Sequence, residues 1–344
     1  MTIRAAVFSI LTGAILGIGC SSESSPESSS TGAAGSPGES GSTDSGGELQ
    51  AVQLRLNWFP EAEHGGYYAA LVHGYFEEAG LNVTIMKGGP GVPVREEVAT
   101  GRVEFGISNA DQILVARSQE ADIVGVFAPL QTSPRCIMVH EKSGIDSFDD
   151  LKNLTLAINQ NSSFGAFLKH KVALEGCKFE PYPGNVARFL LTEDFAQQAY
   201  VFSEPYMAEK EGGDPATLLA ADIGFNPYTS VLITHGDTVR DDADLVRRFV
   251  NAVQQGWQKY LEDPTETNKH IQTQNPEIDS EILAKGAADL KTLCAPLEGQ
   301  RLGSMTGERW SLMASQLEAC GFSEAGSLKP DDAFTTEFVV SSTE

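Results

Sequence analysis

Two hydrophobic periods alternate along the chain from Gln50 onward, and that alternation leaves few folds open. Val52 to Trp58 reads apolar, polar, apolar, the two-residue period of a strand. A turn is expected at Pro60–Glu63. Tyr68, Leu71, Val72, Tyr75 and Phe76 then recur at the spacing of one helical face, and Gly80 stands where a left-handed C-terminal cap belongs. Leu81–Met86, Val103–Ile107 and Ile123–Ala128 read as further strands. Val92–Thr100 and a segment opening at Ser108-Asn109-Ala110-Asp111 and running through Arg117 read as helices. The second half repeats the theme. Strands are expected at Cys136–His140, Leu154–Ile158, Ala199–Phe202 and Thr229–Thr234, with a helix from Phe164 to Leu174 that stops at Gly176. Asp242–Leu261 is strongly amphipathic, with Leu245, Phe249, Val250, Val253 and Trp257 on one side, and more helical pattern follows. Strands separated by helices imply an α/β protein with mostly parallel sheets covered on both faces. A helical C-terminal return suits two lobes that the chain crosses twice.

Charge narrows the function. Against 24 Lys and Arg stand 47 Asp and Glu, a formal net charge of −23. A nucleic-acid binder needs basic surface to displace counterions from phosphates, so that partner is excluded. Docking on anionic lipid by charge is excluded on the same ground. At 344 residues and 41% apolar content the chain has enough material for sizeable cores.

The first 50 residues read as an address and a tether. The run from Ala5 to Ile18 is too short to span a bilayer but has the length of a signal-peptide core. It ends in Leu16-Gly17-Ile18-Gly19-Cys20, which resembles the lipobox of bacterial lipoproteins, with Gly17 where Leu is usual. The resemblance implies a signal peptide over 1–19, lipidation at Cys20, and an exported protein held at a membrane surface; the alternative is ordinary secretion. Residues 20–49 are rich in Ser and Gly and carry no aromatic or basic residue. Such a segment is expected to stay disordered and to reach roughly 30 Å. Four further cysteines, Cys136, Cys177, Cys294 and Cys320, allow three pairings; Cys294 with Cys320 is preferred, and four free thiols are the alternative.

No catalytic signature is present: no G-x-S-x-G, no H-E-x-x-H, no Walker A, no G-x-G-x-x-G and no CxxC. No histidine pair has helical ligand spacing, so neither metal nor cofactor is expected. Gly88-Gly89-Pro90-Gly91 reads as a plain turn. The informative positions lie just beyond strand C-termini, where open α/β sheets bind ligands. They are Asn57-Trp58-Phe59-Pro60 with the run to Tyr67, Ser108-Asn109-Ala110-Asp111-Gln112, Asn159 to Phe164, and Glu204. Trp58 and Phe59 suit a flat ring, or simple core packing. Asn109 and Asp111 suit a ligand, or helix capping. Glu204 is either solvated or an acceptor in a cleft.

Leu56-Asn57-Trp58-Phe59-Pro60, His64-Gly65-Gly66-Tyr67-Tyr68-Ala69-Ala70 and Gly74-Tyr75-Phe76-Glu77-Glu78-Ala79-Gly80-Leu81 together resemble the opening of thiamine-pyrimidine-type periplasmic binding proteins, grouped with sulfonate, taurine and nitrate binders. Gly101–Ile107 and Gln197–Pro205 resemble two later strands of that family. The resemblance implies a two-lobed type II periplasmic-binding-protein fold. Lobe one would be 50–135 with 235–344, and lobe two 136–234. It also implies a monomeric solute-binding protein that clamps a small ligand and delivers it to an ABC permease and its ATPase. A pyrimidine precursor of thiamine is the expected ligand; a sulfonate, taurine or nitrate is the alternative. Trp58, Phe59, Tyr67 and Tyr228 would wall the ring. Asn57, Asn109, Asp111 and Glu204 would bond its polar edge, and Ser162 and Ser163 a substituent. His64, Ser108 and Phe164 complete the expected set.

A relative of this family, the fungal pyrimidine synthase, consumes its own His and holds pyridoxal phosphate on a Lys. The matching positions here are Gln112 and Ser108, and its Cys-rich run has no counterpart near Pro227–Thr234. Without an aldimine-forming amine or a His to donate, that chemistry is not expected.

Overall fold

The computed structural model describes residues 48–324 and 326–339. The expected signal peptide, nearly all of the tether and Cys20 lie outside the described residues. The chain forms β1 (Gln50–Arg55), α1 (Gly65–Val72), α2 (Tyr75–Glu78), β2 (Leu81–Met86), α3 (Val94–Ala99), β3 (Phe105–Ser108), α4 (Ala110–Ser118) and β4 (Ile123–Phe127). It continues with β5 (Arg135–His140), β6 (Thr155–Ala157), α5 (Ser163–Lys171), β7 (Lys178–Glu180), α6 (Ala187–Leu191), β8 (Phe195–Tyr200), α7 (Glu204–Lys210) and β9 (Pro215–Leu219). It returns through β10 (Val231–His235) and then α8 (Gly236–Asp241), α9 (Ala243–Glu262), α10 (Thr265–Gln274), α11 (Ser280–Leu293) and α12 (Gly307–Ala319).

Two five-stranded sheets result, ordered β2-β1-β3-β10-β4 and β7-β6-β8-β5-β9. In each, four strands share a direction and one runs against them: β10 in the first sheet and β5 in the second. The sheets are thus mixed, and their parallel majority matches the expectation.

Several boundaries differ from the sequence reading. β1 stops at Arg55, so Asn57 to Pro60 form a bend beyond the strand. The helical face from Tyr68 to Phe76 is split into α1 and α2, because Gly74 adopts a left-handed φ of 79°. The strand expected at Ala199–Phe202 ends at Tyr200, which puts Glu204 at the first turn of α7. Cys136, Cys177, Cys294 and Cys320 are all free, so the preferred Cys294–Cys320 pairing is not made.

Burial explains the packing of the return helix. Leu245, Phe249, Val250, Val253 and Trp257 of α9 are all buried. Phe249 stacks on Phe105 of β3 at 3.9 Å between ring centroids. α1 lies on the same helix because its glycines leave no side chain in the way. A Cβ on Gly66 would stand 2.1 Å from the Trp257 indole, one on Gly65 2.0 Å from Tyr260, and one on Gly256 2.2 Å from the Gly66 carbonyl. The His64-Gly65-Gly66-Tyr67 run is therefore a close-packing device. It fixes the end of the bend after β1, where candidate ligand residues sit.

Candidate functional site

Parallel strands of one sheet present their C-terminal ends at a common edge, and an antiparallel strand presents its N-terminal end there. In the first sheet this edge carries Asn57 to His64 after β1, Asn109 and Asp111 after β3, and Ser230 before β10. In the second it carries Ser163 after β6, Tyr182 after β7, Ser203 and Glu204 after β8, and Arg135 at the start of β5. The two edges meet. Ser203 Oγ donates to Glu61 Oε2 at 2.8 Å, Arg135 donates to Asp111 Oδ2 at 2.9 Å, and Asn109 Nδ2 donates to the Tyr200 hydroxyl at 3.4 Å. Ser163 also donates to Asp111 Oδ2.

The segment after β1 supplies a buried acidic knot. Glu61, Glu63 and His64 are each at most 6% exposed. Glu63 accepts from Asn57 Nδ2 at 3.2 Å and from Ser230 Oγ at 3.0 Å, and its Oε1 lies 3.2 Å from His64 Nε2. His64 Nδ1 lies 3.4 Å from the Glu61 N–H, and its Nε2 lies 2.9 Å from Asn57 Oδ1. Burial, then the charges of Glu63 and Glu204, push the Glu61 carboxyl well above the ordinary carboxylate range. Burial works the same way on Glu63, but His64 and the donors Ser230 and Asn57 outweigh it and hold that carboxyl low.

Glu204 belongs to this group. Its Oε1 accepts from the Tyr182 hydroxyl and its Oε2 from the Tyr200 N–H at 2.8 Å. Burial raises its carboxyl, although those two donors pull back. Burial also pushes Tyr200 up to about 12, against the pull of Arg135. Asp111 has no exposed surface; its Oδ2 is taken by Arg135 and Ser163, and its Oδ1 has no partner.

The expected residues divide. Asn57, His64, Asn109, Asp111, Ser163 and Glu204 join one network. Asn109 occupies the cap position of α4 without capping it: its Oδ1 accepts the Ser230 N–H at 3.1 Å. Ser108 is buried and donates to Gln112 Oε1 at 3.3 Å. Trp58 is half-buried, and Phe59, 48% exposed, meets it edge-on at 5.5 Å. The Gly88 N–H bonds the Trp58 carbonyl at 3.0 Å, and a Cβ on Gly88 would clash with that backbone, so the plain glycine turn buttresses this pair. Tyr67 and Tyr228 are core residues. Tyr67 packs on Trp257 and donates to the Ser230 carbonyl; Tyr228 accepts from the Thr306 N–H and lies under Arg309. Ser162 caps α5 through the Gly165 N–H, and Phe164 packs on Phe225. A hollow of about 830 Å³ lies elsewhere, lined by Tyr206, Glu209, Asp214 and Asp289 among others.

The sequence places Glu61 and Glu63 in an informative stretch without assigning either a role, and it does not single out Arg135, Tyr182, Tyr200, Ser203 or Ser230. Two acids two positions apart after a strand were the available signal for the first pair. The site also holds a cation, since Arg135 opens β5, but Asp111 occupies it. Elsewhere, Asp122, His235 and Asp237 sit close enough to hold a metal, but Arg117 and Arg240 already bond that cluster.

Comparison with known proteins agrees with the architecture. The family described as NMT1/THI5 like matches residues 61–267. Formylaminopyrimidine-binding protein of Halalkalibacterium halodurans is 25% identical over 300 residues, which cover 84% of this chain and 90% of that protein. Riboflavin-binding protein RibY of Chloroflexus aurantiacus is 24% identical over 307 residues, 85% and 86% of the two chains. The 4-amino-5-hydroxymethyl-2-methylpyrimidine phosphate synthase THI11 of Saccharomyces cerevisiae is 24% identical over 257 residues, 68% and 74% of the two. The solved structure of the periplasmic aliphatic sulphonate binding protein SsuA from Escherichia coli superposes with a TM-score of 0.61 at 14% identity, over 79% of this chain and 86% of that one. That likeness carries the fold: two lobes of mixed sheet and helix, the type II periplasmic-binding-protein architecture. With more than half of its length inside the matched pattern, the chain belongs to the NMT1/THI5-like family.

Proposed function

We propose that this protein is the solute-binding subunit of an ABC importer and clamps a small planar molecule, a pyrimidine precursor of thiamine, between two lobes without altering it. Lobe one comprises 50–135 and 235–344, and lobe two 136–234. The carrying observation is the meeting of the two sheet edges, where Glu61, Asn109 and Asp111 of one bond Ser203, Tyr200 and Arg135 of the other. Residues paired across a seam respond to whatever enters it, and hinge closure is how two-lobed binders sequester a ligand. Trp58 and Phe59 form the wall and Asn57, Asp111, Ser163 and Glu204 the polar edge. Formylaminopyrimidine and riboflavin, named for two relatives, are both flat heteroaromatics, which supports this choice. The protein works outside the cytoplasm as a monomer anchored through Cys20, beside a permease and an ATPase.

A melting panel tests the reading. A true ligand at about 100 times its Kd adds roughly 2.7 kcal/mol. An aminopyrimidine is expected to stabilise, and stabilisation by an alkylsulfonate alone would redirect the ligand assignment while leaving transport in place.

The yeast relative motivates a second reading, a pyrimidine synthase. Ser108 and Gln112 face each other through the Ser108 hydroxyl, and neither side chain can form an aldimine or donate an imidazole. The residues present do not fit pyridoxal phosphate at that position. Incubation with pyridoxal phosphate and iron is expected to yield no pyrimidine, and a new pyrimidine product would overturn the binding-only reading.

A further inference from the structure

The seam between the two sheet edges holds more acceptors than donors. Four carboxylates converge there: Glu61, Glu63, Asp111 and Glu204. Two have a basic partner, since Arg135 bonds Asp111 and His64 contacts Glu63. The other two have neutral donors: Ser203 for Glu61, and the Tyr182 hydroxyl and Tyr200 N–H for Glu204. Among the described residues no Lys or Arg pairs with either. Asp111 Oδ1, on a side chain with no exposed surface, has no donor at all.

Burying carboxylates without counter-charge is expensive. A guest that brings positive charge and N–H donors relieves this cost, and an anion multiplies it. Resting on the importer reading and deepening it, we propose that the seam between the two sheet edges takes its ligand as a cation, a planar amino-heterocycle protonated on a ring nitrogen, and turns anions away. Glu61 and Glu204 supply the counter-charge, one from each sheet edge. Asp111 Oδ1 accepts an exocyclic N–H. Sulfonates, nitrate and phosphate esters are excluded because Arg135, the arginine in the network, is committed to Asp111. The net charge of −23 adds a long-range field of the same sign preference. The raised carboxyls of Glu61 and Glu204 are what such an unbalanced pair shows before a cation arrives.

Calorimetry on the folded chain with four planar probes tests this: 4-amino-2-methylpyrimidine, its neutral isostere 2-methyl-4-pyrimidinone, benzamidinium and benzenesulfonate. The aminopyrimidine is expected to bind, the pyrimidinone about thirtyfold more weakly, and benzenesulfonate not measurably, the gap being that of one charge-assisted hydrogen bond. Ring protonation changes the ultraviolet spectrum of an aminopyrimidine, so at pH 8 the bound probe is expected to show its acid form. Glu61→Gln and Glu204→Gln should each weaken it about tenfold. A neutral-form spectrum, or a pyrimidinone or sulfonate bound as tightly as the aminopyrimidine, overturns the inference. Equal binding of the two pyrimidines leaves the pyrimidine reading standing while the charge claim falls. Binding of benzamidinium without the aminopyrimidine does the reverse, and failure of both cations to bind overturns the charge claim too.

Discussion

Arg135 and Asp111 form an ion pair at 2.9 Å, and it joins the first strand of one sheet to the helix after β3 in the other. Both side chains are withdrawn from solvent, at 12% and 0% exposure. Removing one partner from such a pair strands a buried charge.

Asp111→Ala is therefore expected to lower stability by about 3–5 kcal/mol. Replacing both at once, with Asp111→Leu and Arg135→Met, should restore most of that loss while abolishing ligand binding. Urea titration reads the first effect and calorimetry the second. Equal stability of Asp111→Ala and the unmodified chain would show that the pair does not hold the seam.

The Glu61 carboxyl predicts an unusual pH response. Glu63, Glu204, His64, Ser203 and Tyr182 surround it, and its proton is held to higher pH in the folded chain than at the ordinary value of 4.5. Its contribution is then fully present below that ordinary value and is lost as pH rises through the raised one. Melting temperature should climb as pH falls from 8 toward 5. Glu61→Gln should flatten the climb and raise the value at pH 8. A climb of the same size in that variant would assign it to Glu204 and the net negative charge instead.

Gly66 and Trp257 predict a steric cost. Gly66→Ala puts a methyl where the indole stands, 2.1 Å away. Overpacking of this kind costs about 1–3 kcal/mol. Trp257→Leu should be less harmful in the Gly66→Ala background than alone, since the smaller side chain makes room for the methyl. A double-mutant cycle measures that coupling, and strict additivity would contradict the packing.

The cysteines offer a chemical check. With all four thiols free, the denatured chain should titrate Cys136, Cys177, Cys294 and Cys320 without reductant. In the folded protein Cys177 and Cys320, which are half-buried, should react well before Cys136 and Cys294, which are buried. Two thiols missing from the denatured titration would restore a disulfide.

Hydrophobic period made most of this architecture readable. Leu81–Met86 matches β2 end to end because its alternation is clean, and α9 falls within one residue of the expected Asp242–Leu261 because five apolar residues repeat on one face. Ends of strands were harder. The strand expected at Ala199–Phe202 in fact begins at Phe195, and Gln197 within it is completely buried. The site was half legible. Asn109, Asp111 and Glu204 sit at places where strands end, and that rule found them. Tyr67, in the run after β1, and Tyr228, named through the family resemblance, belong to the core, since neither ground says whether a ring turns inward. Arg135 opens a strand that runs backward, and its direction depends on pairing with β8 and β9, which sequence alone does not reveal.

β10 fills the gap between β3 and β4, more than a hundred residues after β4 has left the ribosome. Until 231–235 arrive, both neighbours expose unpaired backbone along the edges that will face it. The second sheet, by contrast, is complete in one continuous stretch. A product terminated early in this region retains the open edges, which other chains can pair with. Premature stops before Val231 should thus yield aggregates in place of a weakened binder.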